Sequence, residues 1–232
     1  MKRTFLTLFL MLSVLLLTGE TLLKETFKDL SCWQELTFPL CRKKTRYTAE
    51  HDSDGPCLRT ESADSASALM MNDGYHVYDY PVLSWEWKVD SVYKKGDILK
   101  KSGDDFPIRV YIIFDLDLDK LSKKDRAKAE LIRKIHGHYP PHSMLTYVWE
   151  SRKQERDVYP NPNRTEVKMI ILRQGTEDIG VWQHEAVNIV KDYRRLYEKD
   201  PPETGRVVIM NDSDNTGESA VSWVRNLCIE TE

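Results

Sequence analysis

Leu83-Ser84-Trp85-Glu86-Trp87-Lys88-Val89 alternates apolar and polar residues without a break. A period of two places Leu83, Trp85, Trp87 and Val89 on one face of an extended strand and Ser84, Glu86 and Lys88 on the other. The same rhythm recurs downstream. Ile108, Val110, Ile112 and Phe114 alternate with Arg109, Tyr111 and Ile113, and Leu145-Thr146-Tyr147-Val148-Trp149 repeats the theme. Residues 167–172, 207–210 and 221–229 follow, and residues 46–51 and 57–61 supply two earlier strands. Turn chemistry separates them: Asp52-Ser53-Asp54-Gly55-Pro56, Lys95-Gly96-Asp97, Tyr159-Pro160-Asn161-Pro162-Asn163 and Asp200-Pro201-Pro202. At least eight short strands with turns between them predict a mainly β fold, a jelly-roll β-sandwich.

Two segments break the rhythm. Residues 119–135 carry Leu121, Leu131, Ile132 and Ile135 among seven Lys and Arg residues, which predicts a basic helical insertion between two strands. From Val181 to Tyr197, Trp182, Ala186, Ile189, Tyr193 and Leu196 recur at spacings of four and three. That predicts one packed helix stopped by Asp200-Pro201-Pro202, although residues 182–185 also suit the start of a strand.

The N-terminus reads as an export signal. Met1-Lys2-Arg3 is basic, residues 5–17 are uncharged, and small Thr18-Gly19 precede Glu20. Residues 1–19 are therefore expected to be a cleaved signal peptide, and 20–232 a single β-sandwich domain with its core at about 30–231. Without Lys2 and Arg3 the formal charge of −3 becomes −5, which argues against nucleic acid as a partner. No later apolar run is long enough to span a bilayer, so the mature chain is expected to be secreted or periplasmic. Export favours disulfides, and the pairing expected of the four cysteines is Cys57–Cys228 with Cys32–Cys41.

Nucleotide-binding glycine loops and a Gly-x-Ser-x-Gly elbow are missing from the sequence. His184-Glu185 is followed by Asn188 where a zincin needs its second His, which excludes that zinc site. Asp212-Ser213-Asp214-Asn215-Thr216-Gly217 offers oxygen ligands at alternate positions. Asp212, Asp214 and Thr216 read either as calcium ligands at a sandwich edge or as an Asx-rich turn. Asp104-Asp105 precedes a strong strand with Arg109 four residues on. The pair is a cation or acid/base candidate, or else a solvated turn beside a surface Arg. Glu185, Asn188, Asp192 and Arg195 would share a helix face. His136, His138 and His142 have metal-binding spacing, but in a basic loop they read better as exposed. Tyr111 and Trp149 offer planar rings for stacking.

These segments, taken together, resemble an uncharacterised bacterial exported family, a domain of unknown function. The resemblance rests on residues 83–89, Gly103-Asp104-Asp105-Phe106 with Arg109, Tyr147-Val148-Trp149, and Met210 with Asp212, Asp214, Asn215 and Thr216. Trp182, Glu185, Asn188, Asp192 and Tyr193 match a further stretch. Val187 departs from the Arg that the family pattern places there, which weakens any anion contact at that point. The resemblance implies a jelly roll related to carbohydrate-binding modules. It also groups Asp104, Asp105, Arg109, Asp192, Asp212, Asp214 and Asn215 as one constellation.

The expected function is non-catalytic binding of a glycan or other extracytoplasmic ligand, with calcium as the one cofactor the residues would accept. The ligand-binding candidates are Asp104, Asp105, Arg109, Tyr111, Trp149, Glu185, Asn188, Asp192, Asp212, Asp214 and Asn215. One rival is a glycan hydrolase or lyase using paired Asp carboxylates. The other is an envelope interaction protein using the basic insertion.

Overall fold

The computed structural model describes residues 19–38, 41–136, 139–165 and 167–232. All of the expected signal segment except Gly19 lies outside them, as do His138 and the side chain of His136. In chain order the strands are β1 (Thr21–Glu25), β2 (Trp33–Thr37), β3 (Arg46–Asp52), β4 (Gly55–Ala63), β5 (Ala66–Met71), β6 (Tyr75–His76) and β7 (Val82–Val89). There follow β8 (Arg109–Phe114), β9 (Ser143–Glu150), β10 (Val158–Pro160), β11 (Lys168–Gln174), β12 (Gln183–Asn188), β13 (Thr204–Asp212) and β14 (Ser219–Glu230). Helix α1 (Lys123–His136) is inserted between β8 and β9, and α2 (Ile189–Tyr197) follows β12 directly.

The strands form two sheets. One runs β12-β7-β14-β4-β3 with β1 also on β14, and the other β10-β11-β9-β8-β13-β5-β2 with β6 also on β13. The chain crosses repeatedly from one sheet to the other, giving a jelly-roll sandwich. Pairing is antiparallel except between β9 and β11.

The alternation of β7 faces the opposing sheet. Trp85 and Trp87 are fully buried, and their rings lie 5.8 Å from Tyr147 and 6.0 Å from Trp149 across the sandwich. Each such ring removes roughly 150–250 Å² from water, about 4–6 kcal/mol of transfer free energy. Ile108, Val110, Ile112, Phe114, Val207, Ile209, Val224, Leu227 and Ile229 complete this inner layer.

Several expectations need correction. Trp149 is wholly buried in the inner layer, its indole N–H donating to the Gly175 carbonyl at 3.2 Å, so it offers no stacking surface. The expected long helix is half strand: β12 pairs with β7 along its full length before α2 begins. A spacing of four satisfies both a helix and an alternating strand, so only the later spacing of three marks helix. Asn188 is the boundary, its side-chain oxygen accepting the Lys191 N–H at 2.9 Å as the N-cap.

All four cysteines are free thiols. Cys32 and Cys41 flank the five extended residues of β2, which at about 3.3 Å per residue separate them far beyond the ~7 Å a disulfide tolerates between Cα atoms. Cys57 and Cys228 lie on the paired strands β4 and β14, but the register sets Leu58 opposite Val224, which leaves Cys57 one step and Cys228 four steps beyond that pair.

Candidate functional site

The outward residues of β8 and β13 are unlike an ordinary solvated sheet face. Arg109, Val208 and Met210 are buried there, and Tyr111 and Ile113 half-buried. Val208, Met210, Tyr111 and Ile113 form an apolar cluster with Ala66 and Ala68 of β5, outside the sandwich core. Between this cluster and β9, β11 and the Asn161–Val167 turn lies a recess of about 240 Å³. Leu36, Phe38, Ala68, Ile113, Met144, Val167, Met169, Val208 and Met210 make its apolar lining, and Asp104, Arg109, Asn161, Asn163 and Arg164 its polar end.

Two further loops meet behind the polar end. The first, before β8, turns at Gly103, where a Cβ would sit 2.7 Å from the Asp97 amide nitrogen. Only glycine permits that approach. It leads into Asp104 and Asp105, which are 7% and 1% exposed. The second follows β13, where Gly217 takes φ +70° and its N–H closes on the Ser213 carbonyl at 2.8 Å.

Between the loops stands Arg109, 5% exposed. Its guanidinium is in direct contact with Asp212 and lies 3.7 Å from Asp104. The ring centroids of Phe106 and Tyr111 lie 5.0 Å and 5.5 Å from it. Asn161 Nδ2 donates to both Asp104 oxygens at 2.9 Å, and Asn163 Nδ2 donates to one at 2.8 Å. Asp105 accepts from the Thr216 N–H at 2.6 Å, the Asn215 N–H at 3.1 Å and the Asn215 side-chain amide at 2.9 Å. Asp212 also accepts the Phe106 N–H at 3.4 Å. The Cys41 thiol donates to Asp214 at 3.3 Å, and burial, helped by that carboxylate, pushes its pKa up to about 11.

The acidic groups anticipated near a cation do converge, as a different trio. Asp105, Asp212 and Asp214 each place an oxygen within 4.8 Å of the other two. Thr216 instead turns its backbone N–H to Asp105, and its hydroxyl meets the Ser213 carbonyl. A hard cation takes such carboxylate sets, but each member here already accepts from protein donors.

The expected constellation therefore divides. Asp104, Asp105, Arg109, Asp212, Asp214 and Asn215 are assembled, with Tyr111 beside them on the recess wall. Asp192 stands apart on α2, accepting from Tyr147 at 3.0 Å and Arg195 at 3.0 Å. Glu185 binds the Trp87 indole at 3.0 Å and Arg173 at 2.6 Å, and Asn188 caps α2. None of these three lines the recess.

Asn161, Asn163 and Thr146 were not read from the sequence as site residues. Asn-Pro-Asn registered only as a turn, and Thr146 as one polar step in an alternating strand.

Glu150, at the end of β9, was also missed. Burial pushes its carboxyl up to about 7, against the Arg152 and Ile98 amides that favour the charged form.

The chain is similar to lectin I-B4 of Griffonia simplicifolia in its metal-free form, with a TM-score of 0.44 and 12% identity over 90% of this chain and 99% of that one. It is similar to the family 30 carbohydrate-binding module of a Clostridium thermocellum cellulosomal cellulase, with a TM-score of 0.40 and 10% identity over 93% and 94% of the two chains. It is also similar to the enzymatically active domain of bacteriophage CBA120 tailspike protein 4, with a TM-score of 0.43 and 8% identity over 89% of this chain, but it spans only 20% of that protein. These likenesses are remote, and the reading of the site rests on this chain's own residues. No curated relative matches the sequence. A family described as "Protein of unknown function (DUF3047)" matches residues 31–228, and the chain belongs to that family.

Proposed function

We propose that the protein is a non-catalytic binding protein that acts outside the cytoplasm and seats a small ligand in the recess on the outer face of the eight-stranded sheet. One observation carries this reading: an apolar hollow of about 240 Å³ with a buried, cross-linked polar end. Recognition sites combine an apolar lining with a few fixed polar groups in this way. The volume is below the ~300–1,000 Å³ of drug-sized pockets, so it suits one ring or a short chain.

Binding is favoured over hydrolysis by how the carboxylates are used. A hydrolase sets two of them roughly 5–9.5 Å apart across a cleft, one free to give a proton. Here Asp105, Asp212 and Asp214 converge on one another, and Asp104 is held by two amides and Arg109. A glycan unit remains the ligand class with support at the rim, where Tyr111 offers a ring and Asn163 and Arg164 offer polar groups. Export rests on the N-terminal sequence. Among the described residues no helix is long and apolar enough to cross a membrane.

The test is a thermal-shift screen of the protein and of Ala68→Phe, which projects a ring into the recess, against a panel of glycans and small metabolites. A ligand that raises Tm of the unsubstituted protein but not of the variant supports the reading through linkage. Ligands that stabilise both equally would show that binding occurs elsewhere.

A further inference from the structure

Helix α1 takes no part in the recess: none of the recess-lining residues belongs to it. Its own chemistry is unlike that of the rest of the chain. Six Lys and Arg residues stand against Asp125 and Glu130, a formal +4 within fourteen residues of a chain whose whole charge is −3. Among the described residues only two of these cations are ion-paired, Arg126 with Asp119 at 3.8 Å and Arg133 with Glu130 at 3.1 Å. Lys123, Lys124, Lys128 and Lys134 are exposed and left to solvent.

The helix also shows apolar side chains to water. Ile135 is 66% exposed and Leu131 58%, while only Ala129 of α1 is buried and Ile132 half-buried. Lys124, Lys128, Leu131 and Ile135 follow at spacings of four, three and four, so they form one stripe along the helix, with Lys134 beside it. The platform is fixed at both ends. The Ser122 hydroxyl accepts the Asp125 N–H at 3.1 Å and donates to its carboxylate at 2.6 Å, and the Tyr139 hydroxyl donates to Glu130 at 2.6 Å.

A stripe of unpaired lysines needs an anionic partner, and the apolar pair decides which kind. A polyanion in solution would meet the ammonium groups and leave Leu131 and Ile135 in water. An anionic bilayer surface meets the lysines at its phosphates and takes both apolar side chains below them. At about 1.5 Å per residue α1 is roughly 21 Å long, suited to lying in the plane of the headgroups.

We propose that α1 docks the protein on an anionic lipid surface, with Leu131 and Ile135 inserted between headgroups and Lys124, Lys128 and Lys134 at the phosphates.

Co-sedimentation of the full chain with vesicles tests this, using phosphatidylcholine alone and phosphatidylcholine with about a third phosphatidylglycerol. The apolar residues 5–17 are common to every variant, so differences between variants report α1. Binding to the anionic vesicles should be at least fivefold tighter than to the neutral ones, and should weaken between about 0.1 M and 0.5 M salt. Lys124→Glu with Lys128→Glu should weaken it at least tenfold, each lysine near such a surface being worth roughly fivefold. Lys124→Gln with Lys128→Gln serves if that variant does not fold. Leu131→Ser with Ile135→Ser should weaken anionic-vesicle binding about fivefold or more and leave retention on heparin unchanged. Equal binding to both vesicles, or anionic binding untouched by the lysine variants, would overturn the proposal. Heparin retention lost in the lysine variants, with vesicle binding indifferent to the Leu131 and Ile135 substitutions, would overturn the lipid assignment in favour of a soluble polyanion.

Discussion

The two outer faces of the sandwich carry opposite chemistry. On the six-stranded sheet the outward residues are charged and paired: Arg225 with Glu86 across β14 and β7 at 2.8 Å, and Arg59 with Glu61 along β4 at 2.7 Å. Lys88 lies 4.7 Å from both the Trp182 and Trp223 ring centroids, and Arg225 lies 4.1 Å from Trp182. This is a solvated sheet face whose aromatic rings are covered by long cationic side chains. On the eight-stranded sheet the outward residues of β5, β8 and β13 are apolar, and the charges are buried at one edge. A face exposed only to water has no need of Val208, Met210 and Met169. The difference is that the second face keeps an apolar recess with buried charges beside it, the feature on which the proposed binding role rests.

The contrast can be broken most sharply at its arginines. Arg109→Ala leaves Asp104 and Asp212 buried without their cation and is expected to cost about 3–5 kcal/mol. Arg225→Ala should cost less, about 1–2 kcal/mol, because its partner Glu86 is more exposed than the carboxylates around Arg109. Urea denaturation of both variants measures the gap, and equal losses would erase the distinction between the faces.

Glu150 lies on the same outer face as Thr146, four residues on, and its prediction is one of pH. Its folded carboxyl is raised to about 7 from an ordinary 4.5, so the folded chain holds a proton that the unfolded chain has released. Stability should therefore fall as pH rises between about 4.5 and 7, by on the order of 3 kcal/mol. Glu150→Gln should flatten that part of the profile. A wild-type stability curve with no such decline would mean that the group is better solvated than its surroundings indicate.

Thr146→Val removes an unpartnered buried hydroxyl at nearly constant shape. In the absence of ligand it should be neutral or stabilising by up to about 1 kcal/mol. A clear loss of stability would mean that the hydroxyl already has a partner in solution.

The smallest effect is expected from calcium. Arg109 holds Asp212, backbone amides hold Asp105, and the Cys41 thiol reaches Asp214. Millimolar calcium should move Tm by less than about 2 °C, and EDTA should not lower it. A saturable rise well beyond that would show that a cation displaces these donors.

The strands legible from sequence were those with one wet and one buried face. Residues 83–89 announced β7, and the Asp-Gly turn at 54–55 announced the β3–β4 hairpin. Strand β5 was missed because Ala66–Met71 is buried on both faces and loses its alternation. The cysteine pairing failed because sequence spacing does not show that an extended strand lies between Cys32 and Cys41. At the site, adjacency gave Asp104-Asp105 and the Asp212–Thr216 run. Their union through Arg109, the clamp of Asn161 and Asn163 on Asp104, and the departure of Asp192 depend on strand order, which spacing does not encode.

By itself, then, the sequence determined that this is a β-sandwich, where its inner faces lie, and which two loops are rich in carboxylates. Period-two alternation and turn residues are local, and local physics suffices to read them. The tertiary structure alone decided that β8 and β13 lie side by side, bringing Arg109 onto Asp212. It also left the Thr146 hydroxyl and the Arg109 Nε–H buried without hydrogen-bond partners among the described residues. Arg109 and Asp212 stand 103 positions apart in the chain, and only packing brings them together.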